Sequence, residues 1–402
     1  MSRNNRKLIA IAVTGVFAMP LAAEAQSNVT TYGRLYPEIV NVKLSGASAK
    51  GTAVSTLAAA ASGDADVTTL SMDSPNARLG FRGSEDLGKG LKAIFQLEMG
   101  FSIDSGTNTA GQLFNRNSFV GMKGGFGTVK LGVMDTVYKE IGDTLSLLGV
   151  TSGNFMSASN ILSKQGFGTS SASSFHLRRA NSIYYESPEF GGVQGLFDYS
   201  LGETPGSTSK GRVISVGLKY EAGPLYLAVA HETHDNLFGA SRNIAAALAN
   251  NTNANASSMD TATRWTAQYK FNDDSRIEGN FATMKFDESG GAVGKFANYK
   301  HNSWAIIAEH KVTKAVTLVG SYGQAGAGSC ALVGGVACNT TGLDGKMLNV
   351  GAGYDFSKRT TAFAFYTLMT NGRSAVYNNM DSGRPTPGQD ISTVAVGLRH
   401  NF

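Results

Sequence analysis

The chain ends on Ser392-Thr-Val-Ala-Val-Gly-Leu-Arg-His-Asn-Phe402, where Val394, Val396, Leu398 and Phe402 alternate with Thr393, Ala395, Gly397 and Arg399. A period of two gives a strand with one apolar and one polar face. At the free edge of a soluble sheet such a strand would be a template for aggregation. In a closed barrel crossing a membrane it has a partner on each side, with lipid against one face and water against the other.

The other end of the chain is consistent with export. Arg3, Arg6 and Lys7 precede an apolar stretch from Leu8 to Ala22, interrupted at Pro20, and then Ala23-Glu24-Ala25. This is the pattern of a secretory signal with a small-x-small cleavage site, so residues 1–25 are expected to be removed and the mature chain to begin at Gln26.

Composition then decides how a membrane could be crossed. Beyond residue 25 no segment reaches the 18 uninterrupted apolar residues that a spanning helix needs. Glycine, 49 of 402 residues, has nearly twice its ordinary share, and there are only 8 prolines. Hydrophobic residues make up 42% and mean hydropathy is close to zero, as expected when each strand divides its positions between a watery lumen and lipid. The formal charge of +5 falls to about +3 once the three basic residues and one acidic residue of the leader are set aside. With no basic run interleaved with aromatics, nucleic acid is not an expected partner. Cys330 and Cys338 lie eight positions apart in a Gly/Ala/Thr-rich stretch, which in an exported chain points to a disulfide stapling a loop rather than a metal or catalytic site.

Turn residues mark the organisation. Short breaks flanked by alternating segments occur at Asp86–Gly90, Gly124–Gly127, Ser187–Gly192, Glu221–Pro224, Phe271–Asp274, Lys311–Lys314 and Phe356–Arg359. Seven hairpins, a first strand from Val29 and a last strand ending at Phe402 predict sixteen strands, with both termini on the periplasmic side. The fold class is therefore all-β: one antiparallel transmembrane barrel over residues 26–402. Longer polar stretches at 45–64, 104–112, 135–174, 202–210, 235–260, 288–298, 324–344 and 371–389 supply eight outer loops. The third, residues 135–174, is the longest, and a loop of that length in a compact fold is usually functional. Trp265, Ala267 and Tyr269 share a face opposite Arg264, Thr266, Gln268 and Lys270, and Leu91, Ala93, Phe95, Leu97 and Met99 share one opposite Lys92, Gln96 and Glu98. A charge facing lipid at the midplane costs ~2–4 kcal/mol, so these charges belong in the lumen.

Several stretches taken together resemble the general diffusion porins of Gram-negative bacteria, most closely the betaproteobacterial type. They are Val29–Gly33, Asn76–Glu98, Asn115–Gly121, Phe126–Gly132, Arg179–Gly192 and Gly397–Phe402, in that order. The resemblance covers about residues 28–200 and the terminus specifically, and elsewhere only the rhythm of strands and turns. It implies a sixteen-stranded barrel in the outer membrane, a homotrimer, and a third loop folded inward to narrow a water-filled channel for ions and small hydrophilic solutes. It also implies contacts with outer-membrane lipid and lipopolysaccharide, and recognition of the strand ending at Phe402 by the barrel assembly machinery. In that family an arginine cluster on the wall faces carboxylates on the loop. By motif the wall arginines are Arg78, Arg116 and Arg179. Arg82, which shares the parity of Arg78, and Arg34 are added from strand alternation. Tyr138-Lys-Glu-Ile-Gly-Asp143 places Glu140 and Asp143 as the loop acids. The chain departs from the enterobacterial pattern in that its Pro188-Glu-Phe-Gly-Gly192 falls at a turn and not inside the loop.

Arginine rings in a narrow pore focus a positive potential, so a weak to moderate anion preference is expected, with Glu38, Glu98 and Asp135 as acids that could oppose it. The alternative for each arginine is a solvated lumen or interface residue without effect on conductance, and for Glu140 and Asp143 an exposed loop surface. Tyr32, Tyr36, Trp265, Trp304 and Tyr366 read as girdle or wall aromatics. His231-Glu-Thr-His234 superficially resembles a zinc-protease motif, but histidines three apart on a strand face opposite ways, and no metal or cofactor is expected. Neither a Gly-x-Ser-x-Gly elbow nor a phosphate-binding loop is present, which argues against an enzyme. The alternatives are a channel specialised for small organic anions and, with less support, an adhesin or structural protein.

Overall fold

The computed structural model describes residues 28–108, 111–142, 145, 155–170, 173–203, 210–379 and 385–402. The expected leader, residues 1–25, and Asp143 lie outside these. Every strand pairing is antiparallel, and nineteen strand segments form one sheet.

Three staves of that sheet are each broken in two. β1 (Asn28–Leu35) and β2 (Glu38–Ser45) are halves of one stave, interrupted at Tyr36-Pro37, where proline has no N–H to give the ladder. β3 (Val67–Asp73) and β4 (Arg78–Gly88) continue one another in the same way: β3 pairs β2 and β4 pairs β1. Between them and the third break run β5 (Leu91–Gly100), β6 (Ser118–Gly124), β7 (Gly127–Asp135), β8 (Arg178–Glu186), β9 (Val193–Ser200) and β10 (Val213–Ala222). β11 (Leu225–Asp235), β12 (Ser257–Lys270), β13 (Ser275–Ser289) and β14 (Phe296–Lys311) follow. β15 (Val316–Ala325) and β16 (Ser329–Leu332) form the third broken stave, both paired to β14. The last three are β17 (Gly345–Asp355), β18 (Thr360–Asn371) and β19 (Asp390–Asn401). Counted as staves the barrel has sixteen, the number expected from the turns.

β19 closes the barrel. Its register runs from Asp390 opposite Ser45 to Gly397 opposite Glu38, and Asn401 lies opposite Arg34. Gly33 and Phe402 exchange backbone hydrogen bonds of 3.1 Å in both directions. A Cβ at Gly33 would meet the Phe402 ring at 2.3 Å, so glycine is what lets the terminal aromatic close this seam. The seven tight turns fall where expected, the first at Lys89-Gly90, where Gly88, Lys89 and Gly90 all have positive φ.

The alternation sorts chemistry by face. Along β12, Arg264, Thr266 and Gln268 are buried on the inside, whereas Trp265 is 45% and Tyr269 44% exposed on the outside. The outward residues of the other staves, among them Ile306, Leu318 and Val350, continue a band of exposed apolar side chains around the barrel. An apolar surface of that extent is tenable only against lipid.

The described residues between β7 and β8 lie inside the barrel. The first short helix of this segment, α1 (Val137–Glu140), packs against β9, β10 and β11, and the second, α2 (Ser159–Leu162), against β13, β14, β15 and β17. Val137, Tyr138 and Ile141 join an apolar cluster with Tyr184, Leu196 and Tyr226 of the near wall. Phe155, Met156, Ile161 and Leu162 join another with Tyr36, Val40, Phe363 and Phe365. The described parts of this segment, the strap, are therefore anchored by apolar contacts, one cluster on each of two sides of the lumen. Cys330 and Cys338 are joined as a disulfide, Cα to Cα 5.7 Å, stapling the loop that follows β16.

Placing arginine at the outward position Val350 is expected to cost ~2–4 kcal/mol. The control Ser84→Lys, on the lumen side of β4, should stay within about 0.5 kcal/mol. Urea midpoints for refolding into lipid vesicles check both, and an inert Val350→Arg would contradict the assignment of faces.

Candidate functional site

The inner wall of the first staves carries a group of cations placed by register. Arg34 lies directly opposite Arg78, and Arg82 opposite Gln96 and Thr30. Arg116 sits just before β6, where its backbone N–H donates to the Glu98 carbonyl at 3.1 Å. Its guanidinium forms an ion pair with the Glu98 carboxylate, whose second oxygen accepts from Tyr32 Oη at 3.0 Å. The Arg82 guanidinium stands 4.9 Å above the Tyr32 ring. Arg34 Nε donates to Asn401 Oδ1 at 2.9 Å, which ties the group to the closing strand.

Across from this wall stands the start of the strap. Asp135, at the end of β7, pairs with Lys139 Nζ at 2.8 Å and with Arg178 Nη2 at 2.9 Å. Arg178 Nε also donates to Asn117 Oδ1 at 3.0 Å. Glu140 accepts from Tyr184 Oη at 2.6 Å. Burial raises the Glu140 carboxyl above the ordinary carboxylate range, with the Tyr184 hydrogen bond and nearby Lys130 opposing the shift. The same burial lowers Lys139, against the attraction of Asp135.

Wall and strap enclose a cavity of about 320 Å³ in which Arg78, Arg82, Arg116 and Lys139 face Glu98, Asp135 and Glu140. The signs nearly balance by count, but the pairing is unequal. Each acid is committed: Glu98 to Arg116 and Tyr32, Asp135 to Lys139 and Arg178, Glu140 to Tyr184. Among the described residues Arg78 and Arg82 make no ion pair. A mobile anion in this cavity would meet two guanidinium groups that are in no ion pair, which suit carboxylate, phosphate and halide alike.

Of the arginines singled out in the sequence, Arg78, Arg82 and Arg116 are brought together, and Arg34 adjoins them. Arg179 does not join. Its Nη2 donates to the Gly211 carbonyl at 3.0 Å and its Nε to Ser200 Oγ at 3.4 Å, on the wall of β9 and β10. Its neighbour Arg178 reaches the cavity rim instead. Beside Asn181, φ 59°, the β7–β8 register shifts between Gly132 and Met134, so that Arg179 lies opposite Met134 and Arg178 opposite Asp135. Of the loop acids, Glu140 lines the cavity and Asp143 is outside the described residues. Sequence reasoning passed over Lys139 and Arg178, although both flank residues that it named. Tyr32 and Tyr36 prove to be inner-wall aromatics, while Trp265, Trp304 and Tyr366 face outward. His231 is exposed and His234 buried, on opposite faces as their spacing requires.

The sequence profile of the family described as Gram-negative porin matches residues 10–374. The chain is 29% identical over 417 residues to outer membrane porin protein 32 of Delftia acidovorans, covering 99% of each. It is 28% identical over 333 residues to major outer membrane protein P.IB of Neisseria lactamica, covering 81% of this chain and 83% of the relative. Among solved structures, the anion-selective porin from Comamonas acidovorans superposes with a TM-score of 0.69 at 24% identity, over 94% of this chain and 100% of the other. OmpT of Vibrio cholerae in its trimer form does so with a TM-score of 0.62 at 15% identity, over 94% and 99%.

The Tyr32–Glu98–Arg116 unit should behave as one. Glu98→Ala removes the acceptor of two donors and is expected to cost about 2–3 kcal/mol, Tyr32→Phe about 1 kcal/mol. The double variant should be no less stable than Glu98→Ala alone, because the same bond is lost in both. Additive costs in denaturant midpoints would show that the hydroxyl and the carboxylate do not act together.

Proposed function

This chain belongs to the Gram-negative porin family, channels of the outer membrane, and we propose that the cavity between Arg78, Arg82, Arg116 and the Asp135–Glu140 segment is its selectivity constriction. The protein is an outer-membrane porin through which ions and small hydrophilic solutes diffuse passively. The observation that carries the selectivity reading is the pair of guanidinium groups, Arg78 and Arg82, left without acid partners while every facing carboxylate is already engaged. In a narrow lumen with low-dielectric walls such a surplus raises the local anion concentration, and the separation of wall cations from strap acids makes a transverse field that orients polar solutes. The preference this supports is for anions, and it is weak to moderate because three acids line the same space. The name of the Comamonas acidovorans relative, an anion-selective porin, accords with this reading.

Residues 135–174 act as the constriction loop, and the leader 1–25 is cleaved on export. The mature chain assembles as a homotrimer, a reading supported by the trimer form of the Vibrio cholerae relative. The strand ending at Phe402 is presented to the barrel assembly machinery, and the outer rim meets lipopolysaccharide. The channel has no catalytic role.

Zero-current potentials of the refolded chain in a planar bilayer under a salt gradient test the site. Wild type should favour anions. Removing one unit charge at ~5 Å from a permeating ion in aqueous surroundings is worth about 0.8 kcal/mol, so R78A/R82A should lower the anion-to-cation permeability ratio at least threefold. Arg179→Ala should leave it unchanged. A double variant as selective as wild type would show that the two arginines do not set the selectivity. The raised Glu140 carboxyl adds a pH dependence of known sign: as pH rises through its titration a negative charge appears in the cavity, and anion preference falls. That component should vanish in Glu140→Gln.

A further inference from the structure

At the outer rim the disulfide closes a ring that little else holds. Cys330 lies on β16 opposite Tyr299 of β14, and Cys338, eight positions on, is drawn back beside it. Val333 is fastened to the wall: its N–H donates to the Lys295 carbonyl at 2.8 Å and its carbonyl accepts from Gly294 N–H at 2.9 Å. From Gly334 to Cys338 no further hydrogen bond is made among the described residues, and residues 334–337 are exposed. Beyond the ring, Thr340 Oγ1 donates to the Gly328 carbonyl at 2.7 Å. The position of Cys338, and through it of Asn339, therefore depends on the covalent bond more than on the backbone around it.

Asn339 is where the first outer loop, residues 46–66, is caught. Thr56 N–H donates to the Asn339 carbonyl at 3.0 Å, and Asn339 N–H donates back to Thr56 Oγ1 at 3.0 Å. Ser55 Oγ donates to the same carbonyl at 2.8 Å. Ser55 N–H donates to Ser374 Oγ at 2.8 Å, and that hydroxyl in turn donates to the Thr341 carbonyl at 2.7 Å. The next residue, Leu57, is fully buried and is the largest apolar side chain of its loop. It belongs to the apolar cluster that holds Phe167 of the strap and Leu343, which follows the ring, and both cysteines pack against that cluster. Disulfide, catch at Asn339 and seat of Leu57 thus form one continuous set of contacts ending on the strap.

We propose that the Cys330–Cys338 disulfide is a redox latch on the first outer loop: closed, it holds Leu57 down against the strap at the outer mouth, and reduction by a small external thiol releases the loop and widens that mouth. The proposal rests on the porin reading and adds regulation to it. Both sulfurs belong to half-buried residues at the rim, within reach of a solute. A thiolate attacks one sulfur and displaces the other as a cysteine thiolate, and a second thiol resolves the mixed disulfide. Two thiols are oxidised to one disulfide, while Cys330 and Cys338 together take up two electrons and two protons. Once open, residues 330–338 regain the backbone freedom that the crosslink had removed. The catch at Asn339 must then order that segment with hydrogen bonds that water can replace, and Leu57 loses its hold.

Hydrogen exchange of the full mature chain in lipid vesicles, with and without dithiothreitol, reads the latch independently of conductance. Alkylation followed by intact mass should count both cysteines as thiols after treatment. Exchange at the Thr56 and Asn339 amides should then quicken by roughly tenfold to a hundredfold, the freedom returned when a ring of about nine residues opens, while the strands keep their protection. C330S/C338S should exchange fast at both amides with or without reductant. Leu57→Ser, which leaves the disulfide intact, should do the same and separates the latch from any effect of the cysteines on folding. In planar bilayers the single-channel conductance of wild type should shift upward on reduction, and that of both variants should ignore the reductant. Unchanged exchange at Thr56 and Asn339 in reduced protein, or an unchanged conductance, would overturn the proposal. So would a disulfide that resists dithiothreitol in the folded chain, or protection lost across the strands together with the loop. Absence of any conductance from the oxidised protein would sink the porin reading instead, and exchange would still decide whether the loop is latched.

Discussion

Within a bilayer no water is available to a backbone N–H or carbonyl, and each one left unpaired costs several kcal/mol. The architecture follows from this. Sixteen staves must close, so β19 has to reach both β2 and the end of β1, and the chain must bring its own ends together at Gly33 and Phe402. Where a stave cannot continue regularly, as at Tyr36-Pro37, the break is tolerated because each half finds its own neighbours, β4 for the lower half and β3 with β19 for the upper. A closed sheet in turn gives every stave an inside and an outside, and strict alternation then delivers arginine and carboxylate to the lumen and valine and tryptophan to the lipid.

A barrel of this width would be an open hole without something across it. The segment after β7 supplies that, and the way it is held explains why its charges can be placed. Its apolar residues are the anchors: Val137, Tyr138 and Ile141 on one wall, Phe155, Ile161 and Leu162 on the other. Polar ties add direction, with Tyr138 N–H to Ser215 Oγ at 3.0 Å, Tyr226 Oη to the Ile141 carbonyl at 2.9 Å and Leu145 N–H to Glu278 Oε2 at 2.8 Å. The inner wall is accordingly not uniformly polar, and Phe363 and Phe365 face the lumen because the strap covers them. With its backbone fixed in this way, the strap presents Lys139 and Glu140 at set positions opposite the arginine wall.

How much of this could be read in advance follows from which interactions are local. Turns are marked by short polar or glycine-rich breaks within a few residues, so all seven hairpins and hence the stave count were legible. Alternation is also local, and it places Arg78, Arg82 and Glu98 inward without further information. The motif, not the alternation, points to Arg179, while the bonds to Asp135 and Asn117 are made by Arg178, across a register shift beside Asn181. The inward conformation of the strap depends on contacts over many tens of residues, as between Tyr138 and Ser215, and nothing near Lys139 in the sequence announces them. The disulfide was legible because its cysteines share one loop of an exported chain.

The electrostatic character of the proposed constriction is likewise decided by pairing and not by census. Five arginines against two loop acids overstates the surplus, because Arg116 is matched by Glu98, Arg179 lies on another part of the wall, and Arg34 leans on Asn401. Counting only the residues that line the cavity understates it, since four cations against three acids looks almost neutral. A carboxylate that already accepts from an arginine and a tyrosine has little left to offer a passing cation, whereas Arg78 and Arg82 keep their donors for whatever solute enters. The relevant surplus is therefore two guanidinium groups on one side of the lumen. On the proposed reading a surplus of that size biases passage without trapping the ion, and a channel that must release what it admits requires both.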